Sequence, residues 1–283
     1  MNFLAMIIAL LLLQVWGSGD RIHYDQWFAN LRSTIGGLGW TPTAVLLVSI
    51  GLPIVGVSVV LSLLEPLFFG LGWIAGTAFI LLYSLGRGDF QALLARYRSY
   101  CQSEDFEGAY LNAQSDLAYE PSDEGPASIA EFQLQIQRCL FYEGYQRWFA
   151  VLFYFVVLGP EGALAYRLLH LSAPTAEGDV AKRVLYYVDW IPVRLLTATF
   201  TLAGDFILSR DKLMASLQDS DESAGSVLRN IARAALGMDK LKEADPPVPF
   251  GEFAASQLAD IEALLSRSAI SWLVLISILV LLL

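Results

Sequence analysis

Asp189 and Arg194 flank Pro192 within Tyr187-Val188-Asp189-Trp190-Ile191-Pro192-Val193-Arg194-Leu195-Leu196, a stretch otherwise apolar enough for a bilayer. A carboxylate or guanidinium in hydrocarbon costs kilocalories unless it is paired or faces water, so charges kept beside a helix-breaking proline mark either function or an ion pair. Glu143 and Arg147 stand one helical turn apart, just before the apolar run that opens at Trp148. Next, Leu158-Gly159-Pro160-Glu161-Gly162 interrupts a helix and lets a new one start near Glu161. A fresh helix N-terminus presents unpaired N–H groups and about half a positive charge. Arg167 follows within two turns, so a phosphate or carboxylate can dock there. The structural alternatives are an interfacial Glu143–Arg147 pair, a kink with Arg167 reaching lipid headgroups, and an Asp189–Arg194 ion pair.

These residues need membrane elements to position them. With 283 residues, 55% of them hydrophobic, and a mean hydropathy of +0.52, the chain carries too much apolar surface for one water-soluble core. The reading is an all-α polytopic membrane protein. Uncharged apolar runs cover Phe3 to Trp16, Ala44 to Leu64, Leu67 to Tyr83, Trp148 to Leu171 broken at Gly159-Pro160, Val184 to Leu208 broken at Pro192, and Ala269 to Leu283. That predicts six crossings, four at the least, because an upright crossing takes about 20 residues. No basic residue precedes the first run and Gln14-Val15-Trp16 is a poor approach to a cleavage site, so the run reads as retained. Six crossings put residues 17–42, 85–147 and 209–268, with most of the Lys and Arg, on one side, which is then cytoplasmic. The turn near Ser172 to Lys182 falls on the other side.

The expected organisation is membrane helices over 1–84, a cytoplasmic helical loop over 85–147, broken membrane helices over 148–208, a cytoplasmic segment over 209–268 and a last membrane helix over 269–283. Residues 103–126 hold seven acidic residues and no basic one, which reads as a solvated loop. Helical stripes appear at Phe90, Leu93, Leu94, Tyr97 and Cys101; at Ile129, Phe132, Ile136, Leu140 and Glu143; at Val227, Leu228, Ile231, Ala235 and Met238; and at Phe253, Ile261, Leu264 and Leu265. Gly72-Trp73-Ile74-Ala75-Gly76 allows close helix approach, to an internal neighbour or a second copy. Cys101, Cys139, His23 and His170 fit no zinc spacing, so no metal site is assigned. Phosphate-loop, esterase, dinucleotide and metallopeptidase motifs are absent, and a net charge of −10 argues against nucleic acid as a partner.

Glu143-Gly144-Tyr145-Gln146-Arg147, Leu158 to Leu168 and Val188 to Leu195 give the chain its resemblance to AmpE, the inner-membrane family associated with the β-lactamase regulatory system of Gram-negative bacteria. More distantly it resembles the CobD/CbiB cobalamin-biosynthesis synthases. Glu143, Gly159, Gly162, Tyr166, Arg167, Asp189, Pro192 and Arg194 match their blocks, but His170-Leu171-Ser172-Ala173-Pro174-Thr175 replaces an Asn-Thr-x-Asp-Ser-Met stretch. The resemblance to AmpE implies a signalling or sensing role at the inner membrane. The candidate ligand-binding set is Glu143, Arg147, Gly159, Gly162, Tyr166, Arg167, Asp189 and Arg194, with an anionic, phosphorylated small molecule as ligand. Another membrane or cytoplasmic protein is a further partner class. The alternative is an ATP-dependent ligase, with Asp189 or Glu143 holding magnesium and the arginines holding phosphates.

Overall fold

A computed structural model describes residues 2–16, 22–86, 88–117, 119, 126, 128–219, 221–238 and 250–282. Among them every regular element is helical: α1 (Asn2–Trp16), α2 (Gln26–Gly36), α3 (Pro42–Leu64), α4 (Leu71–Ser84), α5 (Phe90–Gln102), α6 (Phe106–Asp116), α7 (Ile129–Gly144), α8 (Ala150–Ser172), α9 (Gly178–Val188), α10 (Trp190–Ala203), α11 (Phe206–Gln218), α12 (Ala224–Ala235) and α13 (Phe250–Leu282). The helices form two compact units, one holding α1–α4, α8 and α9, the other α5–α7 and α10–α13. This division by packing differs in kind from the expected division by exposure to membrane, and residues 148–208 contribute to both units.

In the first unit α3 begins where Thr41 accepts the Ala44 N–H and Pro42 occupies the first turn, a position that needs no backbone donor. Its 23 residues rise about 34 Å, enough for a bilayer core. Leu47, Leu52, Val55, Val59 and Leu63 project outward from it, as lipid-facing residues do. α4 runs back beside it, and a Cβ at Gly76 would lie 2.9 Å from a Leu61 methyl, so the small-residue pattern serves an internal neighbour. At the far end of α4, His23 Nε2 lies 3.1 Å from the Leu82 carbonyl and the Tyr83 hydroxyl donates to Asp25 at 2.8 Å.

The fourth apolar run is not a broken straight span. Gly159 has φ 75° and ψ −165°, a conformation open essentially to glycine alone, and the chain turns back on itself there. Tyr154 and Tyr166 would stand about 18 Å apart along a straight helix. Their rings stack with centroids 5.4 Å apart. A Cβ at Gly162 would lie 2.6 Å from the Tyr154 carbonyl oxygen, a contact that only reversal allows. At the open end Gly86 donates to the Arg147 carbonyl at 3.0 Å, while Arg167 donates to the Ser84 carbonyl at 2.8 Å. Both legs of α8 therefore start and finish beside the end of α4. The legs are about 14 Å and about 20 Å long, short of the roughly 30 Å core.

Two further expectations change. Glu177, which follows the second leg, lies 3.4 Å from Arg32, so residues 22–42 and the turn near 172–182 occupy the same end of this unit and not opposite faces. The run Val184 to Leu208 breaks at Asp189 and not at Pro192, which sits in the first turn of α10, where its missing N–H costs nothing; a second break separates α10 from α11. By length and composition three stretches among the described residues qualify as spans, Pro42–Leu64, Ile129–Ser172 and Phe250–Ile278, with α1, α4 and α10 shorter. The reversal at Gly159 removes the second as a straight span.

In the second unit the anticipated stripes are the buried faces: Leu93, Leu94, Tyr97 and Cys101 on α5, Phe132, Ile136 and Leu140 on α7, and Val227, Leu228 and Ile231 on α12. Burial pushes the Cys101 thiol up to about 11, which leaves it protonated at neutral pH. Part of the acidic run is not loop. Asp105 caps α6, and Ala109 and Ala113 bury against neighbouring helices, while Glu120, Asp123 and Glu124 lie outside the described residues. The second unit also has a polar core: Arg233 donates to Gln137 at 2.7 Å, and Gln137 donates to Gln257 at 2.7 Å, joining α12, α7 and α13. α13 is one helix of 33 residues, so the expected cytoplasmic stripe and last apolar run are continuous.

Thr34→Cys and Ala176→Cys, both at exposed positions, should react with a membrane-impermeant maleimide from the same face of sealed vesicles. Reaction from opposite faces would contradict the reversal.

Candidate functional site

The reversal brings the hairpin's two tyrosines against the end of α9. Tyr154 donates to the Val188 carbonyl at 2.7 Å, one of the carbonyls that a helix C-terminus leaves without an intrahelical partner. Tyr166 donates to the Asp189 carboxylate at 2.9 Å, and Asp189 is 2% exposed. A hydrogen bond to a carboxylate contributes roughly 1.5–3 kcal/mol, more than one between neutral groups. The stacked rings hold the two donors in register, and His170 flanks Tyr166 with centroids 6.2 Å apart. Tyr154 was not singled out from sequence, although Tyr154 and Tyr166 bracket Gly159-Pro160 at distances that pair once the chain folds back.

The helix N-terminus at the tip of the reversal already has a carboxylate beside it. An oxygen of Glu161 lies 3.2 Å from where a Gly159 Cβ would be, so the chain supplies its own anion at the place expected to receive a phosphate. Arg167 is almost fully buried, and its Nε–H meets the carbonyl of Ser84, the last residue of α4. A buried guanidinium at a helix C-terminus satisfies a partnerless carbonyl and opposes the negative end of the dipole.

Arg194 does the same in the second unit. Its Nε and Nη2 donate to the Ser216 carbonyl at 3.3 and 3.0 Å, and Nη2 also donates to the Asp219 carbonyl at 2.8 Å, closing the C-terminus of α11. The guanidinium lies 4.3 Å from the Trp190 ring centroid, within cation–π range. Glu143 accepts from Gln146 at 2.9 Å. α7 ends at Gly144, where a π-helical turn, Tyr145–Phe149, takes over. Arg147 stands at the open end of the hairpin, its Nη1 3.7 Å from a Cβ built on Gly88. The structure thus joins Tyr166 to Asp189, with Gly159 and Gly162 in the reversal that precedes Tyr166, sets Arg167 and Arg147 at the mouth beside the end of α4, and gives Glu143 and Arg194 partners within the other unit. Among the described residues no group of three or more His, Cys, Asp or Glu is placed to share a metal ion.

A family model described as regulatory signalling modulator protein AmpE matches residues 1–249. The chain belongs to the AmpE family. No curated protein and no solved structure matches it. For an AmpE protein the arrangement is informative in what it joins: a tightly reversed helical hairpin, a carboxylate at the end of a helix, and buried cations that close helix termini. All of them fix the relative positions of helices, which suits a regulatory membrane protein.

Gly159→Ala forces a Cβ into a backbone conformation that costs about 1–3 kcal/mol. It should lower the melting temperature in detergent by several degrees. Tyr166→Phe should cost about 1–3 kcal/mol by leaving the Asp189 carboxylate short of a donor, and Tyr166→Phe combined with Asp189→Asn should cost less than the sum of the two. Additive losses in that double-mutant cycle would show that the pair is not coupled.

Proposed function

We propose that this AmpE-family protein is an inner-membrane regulator of β-lactamase induction that binds an anionic, phosphorylated small molecule at a cytoplasm-facing site. Cell-wall fragments and nucleotides are the natural ligand classes. The observation that carries the reading is the charge asymmetry of the first unit. Arg32 and Arg147 lie at the end where the α8 hairpin opens, and α9, which begins at that end beside Glu177, adds Lys182 and Arg183 in its first turns. The turn between α3 and α4, residues 65–70, has no Lys or Arg. Basic residues concentrate on the cytoplasmic side of membrane proteins, which orients the hairpin mouth inward. Exposed Tyr24, Trp27 and Trp40 at the same end supply the aromatic belt of a membrane interface.

Within this reading Arg147, Lys182 and Arg183 attract the anion, while Arg167 and Arg194 position helices. The hairpin holds Asp189, the residue directly before α10, so a ligand that alters hairpin packing acts on a point where the chain passes onward. A ligand preferring one packing arrangement shifts the population by its differential affinity alone.

The test joins binding to output. Thermal unfolding of the purified full chain against cell-wall fragments and nucleotides should show a rise for at least one phosphorylated ligand, reduced when Arg147→Ala is combined with Lys182→Ala and Arg183→Ala. In cells, Tyr166→Phe should alter β-lactamase induction while leaving the protein in the membrane. No shift with any anion, together with wild-type induction by both variants, would refute the proposal.

A further inference from the structure

α11 is built with its polarity reversed. The residues it turns inward are Ser209, fully buried, and Ser216, 3% exposed, and each hydroxyl donates to a carbonyl within its own helix. Its exposed residues include four large apolar ones, Phe206, Ile207, Met214 and Leu217, at 49%, 84%, 53% and 45% exposure, beside Arg210, Asp211, Lys212, Ala215 and Gln218. At 100° per residue these four fall in one band of about 100°, with Arg210 in its middle. A helix packed in water does the opposite, because outward apolar residues gain nothing there. Small residues inward and large apolar residues outward is the pattern of a helix whose outer medium is lipid.

We propose that α11 lies in the membrane interface, with Phe206, Ile207, Met214 and Leu217 in the acyl boundary and Arg210 at the phosphate level of anionic lipid. Two features select lipid over a protein partner. α11 follows α10 after Gly204 and Asp205, and α10 is an apolar helix whose Ile191, Leu195 and Leu202 are also outward, so two successive helices present apolar residues to their surroundings. The only charge in the apolar band is Arg210, whose long stem can lift its guanidinium out to the headgroups, and Asp211 pairs with it at 3.1 Å from outside the band. The Arg194 seal on the Ser216 and Asp219 carbonyls closes the end of α11, as a helix end near hydrocarbon requires.

The experiment uses the full chain with Cys101→Ala and Cys139→Ala, carrying Ile207→Cys or Met214→Cys labelled with an environment-sensitive fluorophore, in vesicles of phosphatidylglycerol and phosphatidylethanolamine. Glu107→Cys, exposed on α6, is the water control. Labels at 207 and 214 should emit blue-shifted, be quenched by brominated acyl chains, and be protected several-fold from iodide relative to 107. Arg210→Gln should reduce the acyl-chain quenching in phosphatidylglycerol vesicles and leave it unchanged in phosphatidylcholine ones. Iodide access equal to the control would overturn the proposal. Protection from both quenchers would also overturn it, since the face would then be covered by protein.

Discussion

The reversal at Gly159 is the constraint on which the first unit depends. A straight helix through the same sequence would carry Tyr166 and Arg167 about 18 Å away from Tyr154. With the reversal in place the two tyrosines stack, their hydroxyls meet the end of α9, and Arg167 reaches the end of α4. One backbone conformation, available to glycine and costly to other residues, thereby organises contacts with two other helices.

A second recurring device is the buried arginine at a helix C-terminus. Arg167 serves α4 and Arg194 serves α11. Helices that end in or near hydrocarbon cannot leave their last carbonyls to water, and no capping glycine closes either of these. A guanidinium has enough donors to serve several carbonyls at once, as Arg194 does. Each buried guanidinium thereby has backbone acceptors within the protein.

Periodicity made the helices of the second unit legible. Leu93, Leu94, Tyr97 and Cys101, or Val227, Leu228 and Ile231, repeat at helical spacing and are buried as the spacing requires. The residues of the candidate cluster were also legible, since a buried Asp189 and a Gly-Pro break stand out in an apolar run. Their partners were not. Arg167 and Arg194 bind backbone carbonyls, which have no sequence signature, so an arginine that caps a helix reads the same as one that awaits an anion. Gly159-Pro160 reads equally as a kink or a reversal, because only the packing of the following leg distinguishes them. Gln137 and Gln257 join across 120 positions of chain, and nothing local to either announces the other.

The helices of the first unit also differ greatly in length. α3 rises about 34 Å, whereas its companions α1 and α4, with 15 and 14 residues, rise only about 22 and 21 Å. A bilayer around such a bundle meets a hydrophobic height that changes from one side to the other, and it must thin, or α3 must tilt, at a cost of fractions of a kcal/mol per ångström. The hydrophobic height of this unit is thus set by α3 on one side and by shorter helices on the other.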